Sequence, residues 1–82
     1  MGRAELADVI ERFVSGDCGP WEWDDFVSIT VKEDREAEAL RLEAAATADD
    51  YPSESPTVWC SAAGVLRLLE IAAQLRKLGE KP

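Results

Sequence analysis

The apolar residues at the start of the chain recur one helical turn apart. They fall at the spacing i, i+3, i+4, i+7 and i+8: Leu6, Val9, Ile10, Phe13 and Val14. This stripe predicts a first helix over residues 3–15, with one apolar face and one charged face. Gly16 follows directly and predicts the end of that helix, because glycine enters the left-handed backbone conformation without strain.

Two further segments predict long helices. Thr30 and Glu33 fit a capping box ahead of residues 33–48, which are rich in the strong helix formers Ala, Glu, Leu and Arg. Ser61 is a candidate cap for a third helix over residues 62–78, whose apolar residues cover more than half of its circumference. Such a wide apolar arc predicts a central helix that is packed on several sides.

The segment ahead of the second long helix fits two patterns. Asp24 is a suitable cap for a short helix that runs to about Ile29. Val27, Ile29 and Val31 alternate with polar residues, which is the pattern of a strand. A lone strand of this length has no obvious partner, so the pattern favours the short helix.

These elements predict an all-α fold, a compact bundle of three long helices plus one short helix. Residues 51–60 contain two prolines and predict the loop that leads into the last helix. With 82 residues, of which 46% are hydrophobic and 32% charged, the chain fits a single helical domain over residues 1–82. It contains no signal peptide and no apolar run of bilayer length, which predicts a cytoplasmic protein.

Charge is distributed unevenly along the chain. The net charge is −8, and residues 17–54 hold twelve acidic residues but only three basic ones. A concentrated negative field repels nucleic acid and anionic membranes, and it speeds the encounter with a basic protein. The charge pattern therefore predicts a protein partner, with no nucleic acid and no membrane as a ligand.

Few side chains of this sequence suit catalysis or metal binding. There is no histidine, which removes the commonest general base and the commonest transition-metal ligand. Cys18 and Cys60 cannot form a zinc site alone, and they either form a disulfide or, as we favour, remain thiols. Asp24 and Asp25 are adjacent and point about 100° apart on a helix, so their carboxylates do not converge on a cation. We predict a protein that is not an enzyme and uses no cofactor and no metal.

Three aromatic and three acidic residues crowd into one stretch of six positions. Trp23 and Phe26 are three positions apart and predict core contacts, whereas Trp21, Glu22 and Asp25 lie off that stripe. A tryptophan among carboxylates is typical of a hot spot that binds basic side chains. We therefore predict that these three residues contact a partner.

Acidic residues in and around the second long helix extend this candidate surface. A solvated helix face accounts for them equally well, so both interpretations stay open. The complete set of predicted partner-binding residues is Trp21, Glu22, Asp25, Glu33, Asp34, Glu36, Glu38, Asp49 and Asp50.

The order of motifs resembles that of a group of small helical bacterial proteins. The similarity covers roughly residues 8–76 and rests on the string WDDFVS at 23–28, a charged helix, Tyr51-Pro52, and Cys60-Ser61 ahead of Gly64 and a leucine-rich helix. Such small acidic proteins are similar to the immunity and antitoxin partners of bacterial toxins. The resemblance implies a rigid, negatively charged domain that blocks the basic active site of a toxin.

The leading hypothesis is accordingly an immunity-type protein that binds and neutralises a cognate toxin through its acidic surface, with a basic toxin domain as the partner. One alternative is a housekeeping interaction module that forms a homodimer and buries the excess apolar surface of its last helix. A third hypothesis is an acidic nucleic-acid mimic that occupies a DNA- or RNA-binding groove.

Overall fold

The computed structural model describes residues 2–55 and 58–79, and these residues form five helices joined by short links. In chain order the helices are α1 (Arg3–Ser15), α2 (Pro20–Ser28), α3 (Arg35–Ala45), α4 (Thr47–Asp50) and α5 (Ala62–Gly79). The described residues contain no strand, so the predicted all-α class is confirmed. The predicted helix count matches only roughly, because residues 33–48 form two helices. Pro56 and Thr57 of the predicted loop, and both ends of the predicted 1–82 domain, lie outside the described residues.

The antiparallel pair of α1 and α5 forms the centre of the molecule. Its core residues are completely buried: Leu6 and Ile10 of α1, and Leu68, Ile71 and Leu75 of α5. Two other helices, α3 and α4, also pack against α5, whereas α2 packs against α1 and α3. The prediction that the last helix packs on several sides therefore holds for three neighbours. It fails for the outermost part of the apolar arc, because Leu66 and Leu69 remain exposed.

Gly16 ends α1 as predicted. Its φ of 83° is left-handed, its own N–H donates to Phe13 O at 3.2 Å, and the N–H of Asp17 donates to Arg12 O at 2.8 Å. This pair of bonds satisfies two carbonyls that the end of a helix leaves without partners. A side chain at position 16 would be strained in this conformation.

The short helix α2 begins five residues earlier than predicted. Gly19 is its N-cap and Pro20 its first residue, so the predicted cap at Asp24 is wrong. Proline suits this position because its fixed φ is already helical and its missing N–H would have had no partner in the first turn. The choice of helix over strand is confirmed as far as Ser28.

The capping box predicted for the second long helix is also wrong. Asp34 is the N-cap of α3, and its carboxylate accepts a hydrogen bond from the N–H of Ala37 at 3.2 Å. Thr30 lies four residues before this cap, in the extended link. At the other end, Thr47 is buried and donates its hydroxyl proton to Glu43 O at 3.0 Å, where α3 gives way to α4.

Ser61 caps α5 as predicted, because its Oγ accepts a hydrogen bond from the N–H of Gly64 at 3.3 Å. Gly64 itself is buried against the preceding loop. A Cβ at this position would lie 2.9 Å from both Cys60 Sγ and Tyr51 Cβ, which is too close for either contact. The glycine therefore lets the loop pack directly onto the first turn of α5.

Among the described helices, none combines the length and the apolar character that crossing a bilayer requires.

Candidate functional site

The outer face of α2 combines an exposed tryptophan with two exposed carboxylates. Trp21 is 79% exposed, and Asp24 and Asp25 lie on the same outward face. Neither aspartate forms an ion pair with any described residue. The placement of Trp21 and Asp25 off the core stripe, predicted from their spacing, is confirmed.

An aromatic stack beneath this face holds α2 in place. Trp23 stacks on Phe13 of α1 at 3.8 Å between ring centroids and on Phe26 at 4.8 Å. Trp59 packs in a T-shaped arrangement against both Phe13 and Trp23, with ring centroids 5.3 and 5.2 Å apart. These contacts confirm the predicted core positions of Trp23 and Phe26, and they hold the outer face of α2 on a rigid base.

The acidic surface continues into a groove between α1 and α2. The groove has a volume of about 240 Å³. Its walls carry Glu5, Asp8, Val9, Arg12, Glu22 and Asp25. Glu5 has no ion pair and therefore adds a negative charge beside Asp25. We call Glu5, Trp21, Asp24 and Asp25 the Trp21 surface. The sequence analysis missed Glu5 because only the packing of α1 on α2 brings it there.

Glu22 lies against α1. Its carboxylate accepts a hydrogen bond from Arg12 Nη1 at 2.6 Å and lies 3.6 Å from the Sγ of Cys18. Burial, followed by this contact with Glu22, raises the pKa of the Cys18 thiol, which therefore stays protonated at neutral pH. Glu22 thus ties α2 to α1, although it was predicted to contact a partner.

Asp34 likewise has a structural role. Besides capping α3, its carboxylate pairs with Arg3 Nε at 2.5 Å. Arg3 also donates from Nη1 to Leu78 O at 2.6 Å, so one guanidinium joins α1, α3 and α5. The bond from Arg3, followed by the N–H of Ala37, lowers the pKa of Asp34. This carboxylate is therefore committed to the helix bundle.

Glu38 belongs to a buried clamp. Arg41 is only 3% exposed, and it donates to both oxygens of Glu38 at 2.6 and 2.8 Å and to Phe26 O at 3.1 Å. Glu38 also accepts the N–H of Val31 at 3.0 Å. The Arg41 guanidinium, followed by the Val31 N–H, lowers the pKa of Glu38 from 4.5 to about 2. The clamp joins α2, the extended link and α3.

The remaining predicted residues lie in three different segments. Glu33 lies in the link before α3, Glu36 in the first turn of α3, and Asp49 and Asp50 in α4. All four are exposed and form no ion pair with a described residue. Glu36 borders a groove of about 480 Å³ between α3 and α5, whose other lining residues are mainly apolar. The structure therefore does not bring the nine predicted residues together in one site.

Ion pairing leaves an excess of unpaired acid. Five of the six described arginines bind carboxylates, namely Arg3, Arg12, Arg41, Arg67 and Arg76. The described carboxylates left without an ion pair are Glu5, Asp17, Asp24, Asp25, Glu33, Glu36, Asp49, Asp50 and Glu54. Only Lys32, Arg35 and Lys77 are described cations without one. The unpaired groups therefore carry the negative field of the molecule.

Both cysteines are free thiols, Cys18 partly buried and Cys60 buried. Burial raises the pKa of the Cys60 thiol, which disfavours the reactive thiolate. Across residues 2–55 and 58–79, no three Cys, Asp or Glu side chains are grouped so that they could hold a metal ion.

Comparison of the chain with protein-family models, curated proteins and solved structures gave no significant match. The resemblance to immunity-type proteins therefore stays a prediction from the sequence.

Proposed function

We propose that this protein binds a basic protein partner through the Trp21 surface and neutralises it, as an immunity protein neutralises its cognate toxin. The observation that carries the proposal is a tryptophan that is 79% exposed on a rigid helix face, beside two carboxylates without an ion pair. The charge supports a basic partner, and the exposed ring supports a protein rather than a small cation. A bacterial cytoplasm suits this role because it keeps free thiols reduced.

The exposed indole is the energetic centre of the proposed contact. A buried tryptophan side chain removes roughly 150–250 Å² from water, and tryptophan is enriched among the residues that dominate binding energy. Because Trp23 and Phe26 already fix α2 on the core, little conformational entropy is lost when Trp21 meets a partner. Trp21 is therefore the residue whose truncation weakens binding most.

The nearby carboxylates contribute mainly to the rate of association and to the choice of partner. Asp24, Asp25 and Glu5 are exposed, so salt screens their attraction for a basic surface. The more distant unpaired acids, such as Asp49 and Asp50, add to the long-range field without touching the partner. Glu22, Asp34 and Glu38 stabilise the helix bundle, so the proposed contact with the partner does not include them.

The proposal is tested with the toxin domain encoded next to the gene for this chain. Isothermal titration calorimetry of Trp21→Ala is expected to show a loss of affinity of about 30-fold, the effect of a hot-spot residue worth about 2 kcal/mol. Leu42→Ala is the control, because Leu42 is 53% exposed on α3 and lies outside the Trp21 surface; its affinity should change less than about twofold.

Three outcomes contradict the proposal. The neighbouring genes encode no toxin, or the toxin domain does not bind, or Trp21→Ala binds as tightly as the wild type. Asp24→Asn with Asp25→Asn separates the charge from the indole, since it should slow association and flatten the salt dependence while dissociation changes less.

A further inference from the structure

An exposed apolar stripe runs along the outward side of α5, beside the exposed polar residues Glu70, Gln74 and Lys77. Four residues recur there at the spacing i, i+4, i+7 and i+11, and we call them the α5 stripe: Ala62, Leu66, Leu69 and Ala73. All four are exposed, Leu66 by 63% and Leu69 by 41%. The core residues of α5 lie on the opposite side of the helix. The helix therefore has two apolar faces, of which α1 covers only one.

Each border of the α5 stripe holds one arginine paired with two carboxylates, which leaves a net charge of −1 on each side. On one side, Arg76 is held by Asp8 and Glu11 of α1 at 2.9 and 2.5 Å. On the other side, Arg67 is held by Glu43 and Glu70. None of the nine unpaired carboxylates lies on α5. This helix face is therefore less negative than the acidic faces of the molecule, and it also carries Lys77, a cation without an ion pair to any described residue.

The α5 stripe is also symmetric about its own midpoint. Its order is Ala, Leu, Leu, Ala, with equal spacing on both sides of a point between positions 67 and 68. If two such helices lie antiparallel, Leu66 of one copy meets Leu69 of the other, and Ala62 meets Ala73. Small residues at both ends let the helices approach closely, and leucines fill the centre. A two-fold interface requires this kind of self-complementary surface.

We propose that the α5 stripe is the contact between two copies of this chain, arranged as an antiparallel helix pair around a two-fold axis. The distribution of charge favours a second copy of this chain over a basic partner at the α5 stripe. Two chains of net charge −8 repel each other least where no unpaired carboxylate is present, and among the described helix faces that is the α5 face. A strongly basic partner finds no unpaired carboxylate on this helix and is drawn to the Trp21 surface instead.

The available area sets the strength of the contact. The 18 residues of α5 span about 27 Å. Val58 and Val65 line a shallow groove of about 190 Å³ at the start of the helix, so the apolar surface extends beyond the α5 stripe. One helix pair still buries no more than about 600 Å² per copy, the lower end for specific interfaces. We therefore expect a weak dimer, with a dissociation constant on the order of 100 µM.

Dimerisation through α5 leaves the Trp21 surface open. In the described part of the chain α2 does not touch α5, and the outer face of α2 points away from the bundle. A dimer would therefore present two Trp21 surfaces, and a partner that is itself multivalent would gain avidity from them. The dimer contact and the proposed partner contact can therefore be tested, and disproved, independently of each other.

Sedimentation equilibrium from about 5 µM to about 1 mM tests the dimer, a range that brackets the expected dissociation constant. The apparent mass of the wild type should rise from 9.0 kDa towards twice that value. Leu66→Glu should stay at 9.0 kDa throughout, because it places a charge at the centre of the pair. Leu42→Glu is the matched control, since it makes the same change at a similarly exposed leucine on α3 and should dimerise like the wild type.

A wild type that stays monomeric across this range overturns the proposal, and so does equal loss of dimer in Leu66→Glu and Leu42→Glu. Circular dichroism of each variant shows whether the helices are retained, and Leu69→Glu repeats the test at a second position. Toxin binding by Leu66→Glu at low concentration should equal that of the wild type, which separates this proposal from the proposed function.

Disulfide crosslinking tests the antiparallel register. In that register position 62 of one copy lies beside position 73 of the other, while the two copies of position 62 are about 16 Å apart, beyond the reach of a disulfide. A mixture of Ala62→Cys and Ala73→Cys proteins should form a crosslinked dimer under mild oxidation. Each variant alone should give only the background of the wild type. Efficient crosslinking of Ala62→Cys to itself would indicate a parallel pair and overturn the proposed arrangement.

Discussion

Two groups of carboxylates that look alike in the sequence are used in opposite ways. Asp34 and Glu38, at the start of α3, bind arginines and backbone N–H groups inside the bundle. Asp24 and Asp25, on α2, have no ion pair and face outward. Both groups lie in the acidic middle of the chain, and three of these four residues, Asp25, Asp34 and Glu38, were predicted to bind a partner. What separates them is whether an arginine reaches them in the folded molecule.

The difference shows that net charge along a sequence overstates the acid available to a partner. Each carboxylate held by an arginine loses its outward charge, and its geometry serves the scaffold. The unpaired carboxylates keep their charge and, on the Trp21 surface, have an exposed indole beside them. A functional surface in such a chain is therefore best sought among acids that no arginine can reach.

The substitution with the largest expected effect on this comparison removes Arg41. In Arg41→Ala, Phe26 O loses its bond from Arg41, the partly buried Glu38 keeps only the bond from the Val31 N–H, and the removed side chain leaves unfilled space beneath α3. Removing one partner of a buried ion pair strongly destabilises a protein, because the other charge stays buried without its partner. We expect the free energy of unfolding to fall by about 3 kcal/mol, measured by urea denaturation followed by circular dichroism.

Arg35→Ala is the control for this experiment. Arg35 begins the same helix, is exposed and forms no ion pair with a described residue. Its replacement should change the free energy of unfolding by no more than about 0.5 kcal/mol. Equal effects of the two substitutions would show that the Arg41 clamp does not support the fold.

The next test measures how the free energy of unfolding depends on the protonation of Glu38. In the folded protein the pKa of Glu38 is about 2, well below its ordinary value of 4.5, because Arg41 and the Val31 N–H bind the charged carboxylate. A lowered pKa contributes stability that is fully present above about pH 4.5 and is lost as the pH falls towards 2. We expect Glu38→Gln to flatten part of this acid-side decline, measured by urea denaturation between about pH 2 and 7.

Glu36→Gln provides the comparison within the same helical turn. Glu36 is exposed and forms no ion pair with a described residue, so its replacement should change the free energy of unfolding at neutral pH by no more than about 0.5 kcal/mol. Parallel pH curves for the wild type and Glu38→Gln would contradict the assignment of the clamp.

Local patterns in the sequence predicted the parts of the fold that local contacts decide. The stripe over residues 3–15, the end at Gly16 and the cap at Ser61 each depend on residues within one or two turns. The starts of α2 and α3 were predicted wrongly because several residues nearby are suitable caps. Asp34 prevails over Thr30 as the cap of α3, and its bond to Arg3, thirty-one residues away, adds a contact that no local pattern shows.

The candidate site was predictable to the same extent. Trp21 and Asp25 fall off the core stripe of a short helix, and spacing alone indicates that they are exposed. Arg41 lies on the buried line of α3 between Ala37 and Ala44. A charged residue at the spacing of a buried one is a signal in the sequence that points to the clamp with Glu38, and the sequence analysis did not use it.

The smallest expected effect comes from the other side of the comparison. Asp24→Asn with Asp25→Asn removes two charges that no described residue binds, and it slightly relieves repulsion in an acidic chain. The free energy of unfolding should therefore change by no more than about 0.5 kcal/mol, and any change should be an increase at low salt. Urea denaturation at about 20 mM and 500 mM salt measures both quantities, because salt screens the relieved repulsion. A clear loss of stability would mean that these carboxylates support the scaffold as Asp34 and Glu38 do, and it would leave the Trp21 surface without its unpaired acids.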